Sequence, residues 1–195
     1  TALGKCRMKA TNQSDEWLMG QVVRGKRDCL EVLVRRYATG LLTYLSRMCG
    51  DAHRAEELVQ EVFLTVWTKR KTYKLDKPFK AWLYTIATNR CRSAFRGKKN
   101  QPLASLDESA GFSPEAEDHG PMDIAVNSEN ASLVSAAVAN LPEQQRMVVT
   151  LRIWGGMSYA EIAQSAGRTE ATIRSHMHRA LESLRKSLSP VLANE

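Results

Sequence analysis

Six basic residues, Lys69, Arg70, Lys71, Lys74, Lys77 and Lys80, are gathered in one short stretch, with Tyr73 and Phe79 interleaved among them. Asn89, Arg92 and Arg96 follow, and Gly97-Lys98-Lys99 comes next. Lysine and arginine neutralise phosphates, and asparagine and arginine can also bond base edges. An aromatic ring beside them can stack on an unpaired base. Counting ~100° per helical residue from Phe79, Thr85, Asn89, Arg92 and Arg96 fall between ~220° and ~280°. They form one stripe beside an apolar face made by Phe79, Trp82, Leu83, Ile86 and Ala87. The clustering points to nucleic acid rather than to a merely soluble basic surface. Arg90 lies at ~20°, toward the apolar side, and is expected to snorkel or to pair with an acid.

A second constellation lies near the C-terminus. Ser158-Tyr-Ala-Glu161 has the spacing of a capping box. Ile162, Ala163 and Ala166 give the helix it starts an apolar side, Gly167 ends that helix, and Thr169 is placed to cap another. Two short helices about a tight glycine turn are the signature of a helix-turn-helix. In its second helix Ile173, Met177, Ala180, Leu181, Leu184 and Leu188 are the expected buried stripe. Arg174, Ser175, His178 and Arg179 lie on the outward side, with Glu182 and Arg185 beyond. The first four are candidates to enter a major groove. His176 and His178 stand two apart, share no helix face and do not make a metal pair.

A third face is not basic. Ala55, Leu58, Val59, Val62, Phe63, Val66 and Trp67 recur at helical spacing after Asp51, a candidate N-cap. The opposite side carries Glu57, Gln60, Glu61 and an outward Leu64. It reads either as a solvated face with one stray leucine or as a docking face for another protein.

Other chemistry is not supported. The chain has no Gly-rich phosphate loop, no paired carboxylates with a histidine cluster and no nucleophile–base constellation. No catalytic residue, metal ligand or cofactor is assigned, and the chain is not expected to be an enzyme. Cys6, Cys29, Cys49 and Cys91 are widely spaced, without a CxxC, and read as thiols that fill small core positions. Cys49 and His53 alone are half a metal site at most.

The elements that must position these residues are all helical, because no stretch alternates as a strand does. Helices are expected over Asp15–Gly25, Asp28–Cys49, from Asp51 to about Thr68, from Pro78 onward, over Ser128–Ala139 and from Pro142 to near Gly155-Gly156. Charge divides the 195 residues into three blocks. Residues 1–99 hold 21 Lys and Arg against 9 Asp and Glu. Residues 100–140 hold 7 acids and no base, and residues 141–195 hold 7 bases and 5 acids. The acidic block contains Pro102, Pro114, Pro121, Gly111 and Gly120, with Phe112 as its only aromatic residue. Such a composition buries too little apolar surface to offset chain entropy. It reads as a flexible linker over 100–127, able to span ~92–101 Å at ~3.3–3.6 Å per residue. Residues 1–14 read as a disordered tail, with Met8 a candidate start. With no apolar leader before Trp17 and no run of ~20 apolar residues, the expected location is the cytoplasm, without membrane insertion.

Three motifs occur in order: DAHRAEELVQEVFLTVW (51–67), FKAWLYTIATNRCRSAFR (79–96) and LPEQQRMVVTLRIWGGMSYAEIAQSAGRTEATIRSHMHRALESLRK (141–186). In these the chain resembles bacterial RNA polymerase sigma factors of the extracytoplasmic-function (ECF) type. The resemblance implies an all-α fold of two small helical domains, a sigma-2-like bundle over 15–99 and a sigma-4-like helix-turn-helix domain over 128–195. It also implies an alternative sigma factor that directs promoter-specific initiation, in a stress or envelope response. Glu57, Gln60, Glu61 and Leu64 would meet the β′ clamp helices of core RNA polymerase, and the second domain its β flap. Lys71, Lys74, Lys77, Lys80, Asn89, Arg92 and Arg96 would engage the minus-ten element, with a flipped base held by the loop from about Arg70 to Lys80. Arg174, Ser175, His178 and Arg179 would read the minus-thirty-five element. An anti-sigma factor is a further implied partner. The competing reading is a stand-alone helix-turn-helix regulator, which leaves the first domain unused. The sigma reading requires that the two halves not be fused around a catalytic cleft.

Overall fold

The structure, a computed structural model, describes residues 12–99 and 132–192. Within them every regular element is helical. Ser14 starts α1 (Asp15–Val23) by accepting the Trp17 amide at 3.2 Å. The long α2 (Arg27–Cys49) ends where Gly50 takes φ 68°, a left-handed conformation that glycine adopts without Cβ strain. Asp51 then caps α3 (Ala52–Thr68) through the Arg54 amide at 3.0 Å, as its position after Gly50 suggests. A 3-10 turn, Arg70–Thr72, leads toward α4 (Phe79–Lys99). The α4 start is capped from a distance: the Phe79 amide donates to Glu16 Oε1 at 3.1 Å. Pro78 precedes the helix rather than opening it.

Helix α4 is held against α2 by a ladder of side chains. A Cβ on Gly40 would lie 3.2 Å from the Tyr84 hydroxyl, so glycine admits the tyrosine there. One turn on, Tyr44 meets Tyr84 edge to face at 5.6 Å and its hydroxyl lies 3.0 Å from Thr88 Oγ1. Further along, Cys49 Sγ stands 3.8 Å from Cys91 Sγ. The pairs ascend in both helices, so α2 and α4 run in the same direction. Tyr84, Thr88 and Cys91 are buried, a wider apolar face than the stripe from Phe79 to Ala87 that the sequence suggests. At the near end Phe79 is enclosed by Tyr37, Tyr73 and Trp82. Asp15 anchors that corner, paired with Arg36 at 2.6 Å and accepting the Tyr37 hydroxyl.

In the second half a short helix, α5, spans 132–139; the first residues of the expected Ser128–Ala139 helix lie outside those described. Pro142 sits at the N-cap of α6 (Glu143–Ile153), one place before the expected first turn. The capping box forms as the sequence predicts. Ser158 Oγ accepts the Glu161 amide at 3.2 Å, and Glu161 accepts the Ser158 amide at 2.8 Å. It starts α7 (Tyr159–Ala166), Gly167 ends it at φ 63°, and Thr169 accepts the Thr172 amide at 3.3 Å at the start of α8 (Glu170–Leu192). Ile173, Met177 and Ala180 are buried, but Leu181 is 49% exposed. It lies ~80° from Ile173 around the helix, on the edge of the stripe.

The two halves meet along a seam. Helix α4 packs against α7, and α2 against α6. Arg146 donates to the carbonyls of Met48 (3.2 Å), Leu141 (3.1 Å) and Ala139. Burial lowers its guanidinium pKa from the ordinary arginine value. Arg47 lies over the Trp154 ring at 3.7 Å, and Lys80 donates to the Gly156 carbonyl at 2.9 Å. Arg92 approaches Met147 Sδ at 3.7 Å and Glu143 at 4.0 Å. The core is therefore continuous across both halves. A cleft of about 260 Å³ between the end of α2 and α5 is lined by Ser46, Arg47, Asp51, Ser132 and Ser135. Its acid, Asp51, is already committed as the cap of α3.

Two predictions follow from this packing. Arg146→Ala removes a charged donor from three carbonyls and should loosen the seam while leaving each half helical. Small-angle scattering should give a larger radius of gyration with an unchanged far-ultraviolet spectrum; an unchanged radius would deny Arg146 this role. Ser158→Ala should cost about 1 kcal/mol of stability through loss of the cap, read as a lower unfolding midpoint.

Candidate nucleic-acid and docking surfaces

The outer face of α3 is built from an internal charge network. Arg54 reaches Glu57 at 2.5 Å and Glu61 at 3.5 Å, and His53 approaches Glu57 at 3.5 Å. Arg90, from α4, pairs with Glu61 at 3.4 Å and donates to Thr65 Oγ1 at 2.9 Å. That arginine thus finds the acid its position calls for. Gln60 and Leu64 project between these pairs, and Leu64 is 64% exposed. The face therefore offers one apolar knob and one amide in a rim of mutually satisfied charges. Exposed pairs of this kind contribute little to stability. A partner could exchange them for its own charges at small cost.

The basic constellation is divided by the seam. Lys71, Lys74 and Lys77 are exposed on the loop, whose shape is held by Tyr73: its buried ring packs against Trp82 and its hydroxyl donates to the Lys77 carbonyl at 2.5 Å. Asn89 is exposed on α4. Lys80 and Arg92 are turned to the second half, engaged with Gly156 and with Met147 and Glu143. The helical stripe predicted from the sequence is thus only partly open. Helical periodicity within α4 carries no information on how α6 and α7 cover part of it. The Arg96 side chain lies outside those described.

On α8, Arg174, Ser175, His178 and Arg179 are all exposed, as the helical count predicts. Arg174 is not loose. Its Nε and Nη2 donate to Glu170 Oε1 at 3.1 and 2.5 Å, and its guanidinium lies over the Tyr159 ring at 4.7 Å. Arg152 approaches the same ring at 5.0 Å. A column of Arg152, Tyr159 and Arg174 thus joins α6, α7 and α8 and fixes how α8 presents this arginine. Sequence reasoning missed Tyr159 and Arg146. Each acts through partners on other helices, at separations with no local period. Among the described residues no group of His, Cys, Asp and Glu is arranged to hold a metal ion, and no helix is long and apolar enough to cross a membrane.

Comparison with known proteins agrees with this layout. The model of Sigma-70 region 2 matches residues 33–101, and that of Sigma-70, region 4 matches residues 132–184. The RNA polymerase sigma-H factor of Pseudomonas aeruginosa is 30% identical over 190 residues, covering 93% of this chain and 97% of that protein. The ECF RNA polymerase sigma factor SigW of Bacillus subtilis is 28% identical over 174 residues, 86% of this chain and 93% of the relative. In three dimensions the chain is similar to the sigma factor RpoE of Bartonella quintana, solved in complex with the anti-sigma factor NepR. That similarity has a TM-score of 0.67 at 22% identity and covers 82% of this chain and 96% of the other. The open face of α3, the basic loop before α4 and the helix-turn-helix of α7 and α8 fall within the matched regions, and the chain belongs to the sigma-70 family as a transcription initiation factor of the ECF type.

Proposed function

We propose a division of labour for the residues of this sigma factor. Gln60 and Leu64, rimmed by Glu57 and Glu61, dock on the β′ clamp helices of core RNA polymerase, and the second domain meets the β flap. Lys71, Lys74, Lys77, Lys80, Asn89, Arg92 and Arg96 engage the minus-ten element as it melts. Arg174, Ser175, His178 and Arg179 read the minus-thirty-five duplex. The domains are 15–99 and 128–195, with 1–14 a tail and 100–127 a linker long enough to let them part. The observation that carries the reading is the exposed α3 face. It is acidic and apolar, on a chain whose other two exposed surfaces suit DNA, and Leu64 on it stays 64% exposed among the described residues.

In this reading the seam is a lock. Lys80 and Arg92 cannot hold DNA while they hold α6 and the turn before α7. Core polymerase, by drawing the two domains to separate places, releases them. Capturing an unstacked base then offsets the few kcal/mol that unstacking costs. The chain makes and breaks no bond, and it works in the cytoplasm beside the polymerase. An anti-sigma factor of the kind seen with the Bartonella relative would act by preferring the closed arrangement, since a ligand shifts an equilibrium only by its differential affinity. A stand-alone helix-turn-helix regulator accounts for α7 and α8 alone and leaves region 2 without work.

The test separates the surfaces. Gln60→Ala with Leu64→Ala should lower affinity for core polymerase and leave DNA binding unchanged; Glu61 is spared because it also holds Arg90. Equal retention on core polymerase would contradict the docking role. Arg174→Ala should weaken promoter use by ~1–3 kcal/mol and relax selectivity at one position if the contact is to a base. Tyr159→Leu should produce a milder version of the same defect. A uniform loss on every promoter would assign Arg174 to phosphate instead.

A further inference from the structure

The ladder between α2 and α4 ends in two sulfurs, Cys49 Sγ and Cys91 Sγ, 3.8 Å apart. Cys91 is 1% exposed, and Cys49 is half-buried at the last position of α2, beside the left-handed Gly50. A disulfide needs ~2.0 Å between sulfurs, so the remaining gap is within reach of side-chain rotation at a helix end. The other cysteine described, Cys29, sits twenty positions earlier on α2, ~30 Å away at ~1.5 Å per residue. It cannot compete for either partner. The neighbours of the pair matter as well. Met48, just before Cys49, gives its carbonyl to Arg146, and Arg92, just after Cys91, meets Met147 and Glu143. Two of the seam's contacts, those of Met48 and Arg92, are therefore adjacent in sequence to the two thiols.

We propose that Cys49 and Cys91 form a reversible disulfide when the protein meets a peroxide, and that the bond fixes the adjacent Met48 and Arg92 contacts of the seam and holds the domains closed. The more accessible sulfur reacts first. The Cys49 thiolate attacks a peroxide oxygen, the O–O bond breaks, Cys49 becomes a sulfenic acid and water leaves after protonation. The Cys91 sulfur then attacks Cys49, the S–S bond forms, the S–O bond breaks, and a second water carries off the Cys91 proton. Two thiols and one hydrogen peroxide give one disulfide and two waters; a dithiol reductant reverses the bond. The order is supported by the thiols themselves. The hydrogen bond to Cys49, then burial, pushes the Cys91 thiol well above its ordinary range, which disfavours Cys91 as the first nucleophile and leaves it the resolving partner.

The experiment uses the full chain with hydrogen peroxide. Intact mass should fall by two hydrogens. Trypsin without reductant should join the peptide 48–54 to the peptide 91–92. The unfolding temperature should rise, and dithiothreitol should reverse all three changes. Cys6→Ser with Cys29→Ser should keep the link, and Cys49→Ser or Cys91→Ala should lose it. Sulfinic acid at Cys49 with no link, or a link only between molecules, would overturn the site. The effect on closure rests on the function proposed above and has its own readout. Oxidised protein should give several-fold less promoter-directed transcript with core polymerase, restored by dithiothreitol and absent in Cys49→Ser. A disulfide that forms and leaves transcription unchanged would refute the closure and spare the site. Failure of the reduced protein to transcribe would instead count against the sigma assignment of the residues.

Discussion

The structure depends on one helix being held in place from three sides. Helix α4 is pinned at its start by the Glu16 carboxylate on the Phe79 amide and along its length by the Gly40, Tyr44 and Cys49 ladder on α2. Its far side rests on the second half through Lys80 and Arg92. The same helix therefore serves as core, as candidate reading surface and as seam. A buried position such as Phe79 or Tyr84 can be occupied in only one way. Lys80 and Arg92 are occupied by carbonyl, thioether and carboxylate acceptors within the chain, and under the proposed function phosphates outside it are their other partners. That choice would couple the arrangement of the domains to nucleic acid.

The seam is suited to a reversible contact. Its polar links are few: an arginine on backbone carbonyls, a lysine on one carbonyl, an arginine over an indole and an arginine against a thioether and a carboxylate. Contacts between domains of one chain resemble transient protein interfaces, and relative motion is their ordinary behaviour. Each link is satisfied when closed and can be satisfied by water or phosphate when open, so neither state leaves a charge stranded. Binding to a large partner that favours separation can then offset the cost of opening, while one that favours closure holds the Lys80 and Arg92 side of α4 against α6 and α7.

Much of this was legible in the residues. The caps at Asp51, Ser158 and Thr169, the turn at Gly167 and the outward set on α8 all follow from spacing, because each depends on neighbours within four positions. The division into two helical halves was legible from charge and from the three motifs. The sequence was silent where the partner is remote. The Arg146 carbonyl cluster, the Tyr159 column and the burial of Lys80 and Arg92 depend on helices tens of residues away. Periodicity places Leu181 in the buried stripe, but it cannot say how much of that stripe the neighbouring helices cover. The cysteines illustrate the limit best. Read singly they are core fillers, as Cys29 and Cys91 are; only the parallel run of α2 and α4 brings Cys91 to Cys49.

The central claim is that the closed seam seen in the chain by itself must part for the protein to work on a promoter. Labels placed at Ser93 on α4 and Lys186 on α8, by chemistry that spares the native cysteines, report the separation of the two domains by pulsed dipolar spectroscopy. The account predicts one short distance for the protein alone and a distinctly longer one with core RNA polymerase and promoter DNA under conditions that yield specific transcript. A distance that stays short while transcript is made would contradict it.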